Sequence, residues 1–428
     1  MAKKASSRNA QGAGTIRKKT VTRNGKPYTY WEARYTEGRD PGTGKQVQRS
    51  IYGRTQKEVR EKLQAVAVTL NTGTYTAPDR MTVGEWAVIW LREYNKGIKE
   101  TTFDAYKKTV DLHIRPAMGN IELSRLNTEM IQKFYNGLLE HGQAIPQRDG
   151  DGKIIKKNGK PVMENVPMSA KTVHNIHGTL HKMLAKAVAL KKIPFNPADN
   201  SLVELPRETR KEIVPLDAEQ ISEFVQRIQG SKYEDVFMVA LFTGMRQSEV
   251  LGLTWECIDF KAGTIKVSKQ LTRRTGNNNT YHFTTPKSNK GRVIKPAAAV
   301  MDILKRRRAK QAQQRLLAGR TWESENPAGV SNLVFTNEIG GNLSQNTIRT
   351  NFKMIVAAMG IPDARFHDLR HSFAVTSLRN GDDVKTVQET LGHATAAFTL
   401  DVYGHVTDQM KQESADRMEA FITGLKKA

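Results

Sequence analysis

The sequence predicts a multidomain chain: an α+β N-terminal domain of three strands and one helix, an all-α domain, and a mainly α domain with a small β-sheet. Length is the first reason. At about 100–200 residues per domain, 428 residues exceed a single core. The second is a set of short β-type runs, ended by Asn24-Gly25 and Asp40-Pro41-Gly42, confined to the start of the chain. The third is the pattern that follows, where apolar residues recur at helical spacing in two blocks separated by Pro-containing linkers.

Residues 1–13 lack periodicity and read as a basic tail. Residues 15–22, 28–35 and 45–52 are the three strands. Alternation puts Trp31, Ala33 and Tyr35 on one face of the middle strand and Tyr30, Glu32 and Arg34 on the other. Thr55-Gln56-Lys57-Glu58 is a capping box, and Val59, Leu63 and Val66 give the stripe of a helix behind the sheet. The first 75 residues hold 16 Lys and Arg against 5 Asp and Glu. Such a sheet can lay a polar, cationic face in a DNA major groove; the alternative is a solvated basic face.

Residues 71–80 form a linker. A second capping box, Thr82-Val83-Gly84-Glu85, opens a helix through Trp86, Ile89, Trp90 and Leu91. A helix is expected from about Thr102 to Ile114, stopping before Pro116, and another over about 128–140. Asp-Gly and Asn-Gly turns in 142–168 point to a hairpin with four lysines. Ser169 caps a long helix with Val173, Ile176, Leu180, Met183, Leu184 and Ala187 on one face, ending before Pro194. Residues 199–214 are a linker. Helices follow over about 217–229 and 233–243, then β-type runs at 264–268 and 292–295, then helices from about 297 onward.

With 67 Lys and Arg against 43 Asp and Glu, the formal charge is +24. That excess calls for a polyanion, and nucleic acid is the first candidate because counterion release drives basic surfaces onto phosphates. No run of about 18 apolar residues is present, and the start, Met1-Ala2-Lys3-Lys4-Ala5-Ser6, has no apolar core, so neither membrane insertion nor secretion is expected. The single cysteine, Cys257, excludes an internal disulfide and a Cys-cluster zinc site, and fits a reducing cytoplasm.

Three segments of the last domain can carry chemistry. In Thr243-Gly244-Met245-Arg246-Gln247-Ser248-Glu249 a glycine ends one helix, and Glu249 lies three residues beyond Arg246, able to hold its guanidinium. Most such pairs are surface ion pairs of little consequence. In His367-Asp368-Leu369-Arg370-His371, His367 and Arg370 share a helix face and could reach one phosphate. His367 and His371 have the spacing of metal ligands. The Glu of His-Glu-x-x-His is missing, however, and Arg370 between them repels a cation. The third segment, Leu391-Gly392-His393, precedes Thr399-Leu400-Asp401-Val402-Tyr403. Singly, His393 and Tyr403 read as packing residues.

Together, Thr-Gly-Met-Arg, His-x-x-Arg and Leu-Gly-His followed by Thr-x-x-x-Tyr resemble, in order and spacing, the tyrosine recombinase family of phage-type integrases. The resemblance spans the chain. Residues 1–75 resemble the arm-type DNA-binding domain of integrases from phages and conjugative transposons. Residues 80–198 resemble the core-binding domain, including His113-Ile114-Arg115-Pro116-Ala117-Met118-Gly119, and 212–428 the catalytic domain with its C-terminal tail helix. The insertion at 142–168 is longer than that pattern leads one to expect.

The resemblance implies roles residue by residue. Arg246 and Arg370 would clamp the scissile phosphate, His367 and His393 would complete its pocket and assist proton movement, and Tyr403 would be the nucleophile. Lys287, in Thr285-Pro286-Lys287-Ser288, would be the general acid, with Lys290 a competing candidate, and Glu249 would support the site from behind. The implied activity is cutting and rejoining of DNA through a 3′-phosphotyrosyl intermediate, integrating and excising a mobile element, without metal, ATP or other cofactor. The implied partners are double-stranded core and arm-type attachment sites, a homotetramer on paired sites, and a directionality factor or host DNA-bending protein, in the cytoplasm of a bacterial host. A metal-dependent nuclease or transposase would need a carboxylate cluster, and Asp and Glu are scarce around these motifs. A type IB topoisomerase shares the chemistry but not the arm and core-binding layout. A non-enzymatic DNA-binding regulator fits the charge but leaves the constellation through Tyr403 without a purpose.

Overall fold

The three β-type runs pair into one antiparallel sheet in the order β1 (Thr15–Arg23), β2 (Lys26–Arg39), β3 (Gln46–Gly53), followed by α1 (Gln56–Asn71). These elements belong to a computed structural model that describes residues 14–23, 26–39, 44–71, 80–147, 149, 153–209, 214–274, 280–286, 291–324, 326–327, 329–392, 395, 415–416, 418–419 and 422–425. The chain divides into two compact units, Met1–Arg210 and Lys211–Ala428. Ala33 and Tyr35 of β2 meet Val59 and Leu63 of α1 in a small core, with Trp31 packed against it. The cap of α1 is looser than a full box. Glu58 N donates to Thr55 Oγ1, but the Glu58 carboxylate reaches back to Arg54 N, one residue beyond the usual partner.

On the opposite face, Glu32 is not a solvated residue: it is 1% exposed. Arg17, Lys19 and Arg34 converge on its carboxylate, and Ser50 donates to it at 3.1 Å. The Arg17 hydrogen bond is the main reason its carboxyl is held down at about 2. One acid thus gathers a fan of cations on the sheet face turned away from the core.

The helical part of this unit comprises α2 (Val83–Tyr94), α3 (Glu100–Thr109), α4 (Arg115–Met118), α5 (Thr128–Glu140) and α6 (Ala170–Ala189). The Thr82–Glu85 box forms in full, and Ser169 caps α6. Trp86, Trp90, Ile114, Tyr135, Leu180 and Met183 make the core, where the Trp86 indole donates to Met183 O at 3.0 Å. One expectation fails here. The helix of α3 does not stop before Pro116 but runs through it into α4 across a π-helical turn at Val110–Ile114. Proline lacks an N–H and its ring crowds the preceding turn; widening that turn, so that Arg115 N donates to Val110 O, makes room for the ring. Between α5 and α6 the insertion forms β4 (Gln143–Pro146), β5 (Lys156–Lys157), β6 (Lys160–Pro161) and β7 (Met163–Val166), with β4 pairing β7 and β5 pairing β6.

The second unit starts with α7 (Ala218–Ile228), α8 (Glu234–Thr243) and α9 (Gln247–Leu251). Strands β8 (Ile258–Asp259), β9 (Thr264–Val267), β10 (Gln270–Arg273), β11 (Tyr281–Thr284) and β12 (Arg292–Ile294) follow. They form an antiparallel sheet β12–β9–β8 and a separate β10–β11 hairpin that the apolar pattern does not announce. Helices α10 (Ala298–Ala318), α11 (Gln345–Ala358), α12 (Asp368–Arg379) and α13 (Val384–Leu391) complete it. Phe366 packs on Phe237 of α8 and Phe352 of α11, so the start of α12 is anchored to the helix that leads to Arg246. Among the described residues no helix is long and apolar enough to cross a membrane. Most of the expected tail helix lies outside the described residues.

Candidate active site

Helix α8 ends at Gly244 in the left-handed region, φ 63°. A Cβ there would lie 2.6 Å from the Phe373 ring and 2.7 Å from Leu391, so glycine is required both for the turn and for the close approach of α12 and α13. Arg370, on α12 and 2% exposed, uses that junction: Nη1 donates to Gly244 O and Nη2 to Leu391 O, each at 2.7 Å. Its guanidinium stitches the ends of α8 and α13 together, which fixes where the cation sits.

Arg246 is the residue just before α9. Its backbone N–H donates to Glu249 Oε2 at 2.9 Å and its Nη1 to Glu249 Oε1 at 2.8 Å. The pair is no surface ion pair, because Glu249 is completely buried. Sequence reasoning missed the third member. Arg292, opening β12, donates from Nη1 and Nη2 to the same carboxylate at 3.1 and 2.7 Å, and from Nε to Thr390 O at 2.6 Å. Its only signal is an arginine opening a short strand whose other two residues, Val293 and Ile294, are apolar. Burial alone would raise the Glu249 carboxyl; the Arg292 hydrogen bonds and charge, and then Arg246, outweigh it and hold it at about 2.

His367 precedes α12 and opens to solvent on one side. Partial burial and the nearby Arg370 and Arg246 guanidiniums push its imidazole down to about 4, so it is neutral at physiological pH and lies within reach of both cations' fields. His371, one turn on and 8% exposed, meets it edge to face at 4.9 Å between ring centroids; burial and His367 hold it at about 4 as well. Asp368 is held by Arg365 through Nη2 at 2.8 Å. Among the described residues, no group of three or more His, Cys, Asp or Glu is arranged to hold a metal ion.

The structure therefore brings Arg246, His367 and Arg370 together. Lys287, His393 and Tyr403, with the competing Lys290, lie outside the described residues. Their flanks are described: Pro286 and Gly291 border the lysine segment, and Gly392, left-handed at φ 68°, caps α13 directly before His393. Tyr281, another tyrosine of this unit, is 4% exposed in the core.

The chain belongs to the phage integrase family. Residues 214–410 match the model of the phage integrase family, and residues 82–139 match the N-terminal SAM-like domain of phage integrases. It is a tyrosine-type site-specific recombinase. A tyrosine recombinase XerC-like protein of Caldanaerobacter subterraneus is 26% identical over 415 residues, covering 94% of this chain and 98% of the relative. The ICEBs1 integrase of Bacillus subtilis is 25% identical over 391 residues, covering 90% and 95%. Among solved structures, the Tn1549 transposon integrase in complex with circular intermediate DNA is similar over 79% of this chain and 99% of that one, with TM-score 0.62 and 22% identity. A lambda integrase dimer bound to a core site is similar over 90% and 94%, with TM-score 0.51 and 17% identity. These two likenesses bear on the fold.

Proposed function

We propose that the protein cuts and rejoins double-stranded DNA at paired attachment sites, with Arg246 and Arg370 clamping the scissile phosphate and Tyr403 attacking it. The observation that carries this reading is the pre-set pair of guanidiniums, one fixed by the buried Glu249 and the other by two backbone carbonyls, both close enough to His367 to hold it neutral. Attack adds charge to the phosphate's equatorial oxygens, and cations already in place stabilise it without reorganising. The Tyr403 oxygen forms the new bond to phosphorus while the bond to the 5′ oxygen breaks. A tyrosine hydroxyl, with an ordinary pKa near 10, needs help to lose its proton. Neutral His367, with His393, can take part in that transfer, and Lys287 supplies a proton to the departing 5′ oxygen. The phosphotyrosyl link conserves the bond energy, and a new 5′ hydroxyl reverses the step.

The sheet-bearing segment 1–75 serves arm-type sites through its cationic face, segment 80–198 and the catalytic segment 212–428 each bind the core site, and four protomers assemble on two sites. A directionality factor or a host DNA-bending protein biases the outcome. Integration and excision of a mobile element is the reaction this serves. A nicked duplex carrying the element's own attachment site tests the reading, since the nick lets the short fragment that bears the new 5′ hydroxyl escape and traps the intermediate. A protein–DNA adduct that survives denaturation supports it; binding with no adduct would leave a regulator instead.

A further inference from the structure

We propose that Arg292 is a positioning residue for strand transfer: it fixes how much of the Arg246 guanidinium remains available to the scissile phosphate. The inference rests on the active-site reading above and adds a residue to it. Arg292 spends its fork inward, on both oxygens of Glu249 and on Thr390 O, so it is no phosphate ligand itself. Its effect runs through competition. A carboxylate facing a single arginine favours a bidentate pair, two parallel N–H···O bonds in one plane. Here Arg292 takes both carboxylate oxygens, and among the described residues the Arg246 side chain is hydrogen-bonded to Glu249 through Nη1 alone. The rest of the Arg246 fork is thereby kept from collapsing onto Glu249.

The same side chain ties together the segments that carry the other reacting groups. Arg292 opens β12 immediately after the segment bearing Lys287, and its Nε holds the last turn of α13, three residues before His393. The neighbouring Gly392 fits this role: a Cβ at that position would lie 3.0 Å from Arg292 Cδ and 3.2 Å from Nη1, against the stem that must pass there. A residue placed so is more than filler for a buried charge, because removing it changes where Arg246 points.

The test uses full-length protein and the nicked attachment-site duplex, with either a normal scissile phosphate or a methylphosphonate, whose methyl group removes the charge the guanidiniums neutralise. Wild type, Arg292→Ala and Arg292→Lys are compared in single-turnover cleavage and in duplex binding. Misplacing a reacting group by about 1 Å costs about 10²-fold, so Arg292→Ala should cleave the phosphate about 10- to 100-fold more slowly with binding unchanged. On the methylphosphonate its deficit relative to wild type should shrink to within about threefold, since the clamp matters less there. Arg292→Lys, which keeps a charge but lacks the fork, should fall between the two and is the variant read if alanine disturbs folding. Equal deficits on both substrates, or no deficit, would overturn the proposal. Failure of wild type to form any adduct would instead remove the reading on which it rests.

Discussion

Replacing Glu249 with Gln keeps the side chain's size and one acceptor oxygen but deletes the charge shared by Arg246 and Arg292. The carboxyl is held at about 2, against an ordinary value of 4.5, and the residue is completely buried. At about 1.4 kcal/mol per unit, that displacement corresponds to about 3 kcal/mol of stability at neutral pH. The sign follows from the lowered value. The contribution is full above about pH 4.5, where the unfolded carboxyl is also ionised, and is lost as pH falls from there toward 2. Wild type should therefore exceed Glu249→Gln by about 3 kcal/mol at pH 7, with the gap narrowing to about half near pH 3. Chemical denaturation of both proteins, followed by near-ultraviolet circular dichroism across this range, measures it. Cleavage should fall alongside, by about 10²-fold, because Arg246 loses its anchor. A gap under about 1 kcal/mol, the size of an exposed ion pair, or one independent of pH would refute the reasoning.

Arg246→Ala and Arg370→Ala should each slow cleavage by at least about 10²-fold, as loss of a pre-set charge stabiliser does, while chelator leaves wild-type cleavage unchanged; strong inhibition by chelator, restored by magnesium, would contradict this. Buried His371 is held at about 4, below the ordinary 6.5, so the unfolded chain takes up its proton first and stability falls as pH drops from about 6.5 to about 4. His371→Gln should flatten that part of the pH–stability curve by up to about 3 kcal/mol, and superimposable curves would show the histidine does not titrate as described. Removing residues 1–75 should abolish binding to the arm-type class of site and spare cleavage at the core site; unchanged footprints and salt dependence would show that the segment makes no DNA contact.

What was legible in the sequence was what neighbours in sequence decide. The Thr82–Glu85 box, the Ser169 cap and the glycine ending α8 are local devices, each written within a few residues, and the structure contains all three. The turn at Val110–Ile114 was not legible, because a proline in a helical pattern reads as a stop unless tertiary packing keeps the helix going past it. Strands β10 and β11 are short and polar around Arg273–Arg274 and Thr280, so their alternation is too brief to register. The candidate site residues stand out as a set by order and spacing, whereas the support that the structure gives Arg246 does not. Glu249 reads as a surface pair until Arg292, 43 positions away, arrives on the other side of its carboxylate. Glu32 likewise reads as a solvated acid until Arg17 and Ser50 come in from the flanking strands. Long-range partners of buried charges leave almost no trace in a single sequence.

In the proposed reaction the pre-set cations of this unit serve one nucleophile, Tyr403. Trapping the intermediate on a nicked attachment site, digesting the protein and sequencing the nucleotide-bearing peptide by mass spectrometry tests that claim at the atom concerned. The peptide containing Tyr403 should carry a nucleotide joined through its 3′ phosphate, and Tyr403→Phe should form no adduct while still binding the duplex as wild type does. A covalent adduct retained by Tyr403→Phe, or a nucleotide mapped to any other residue, would contradict it.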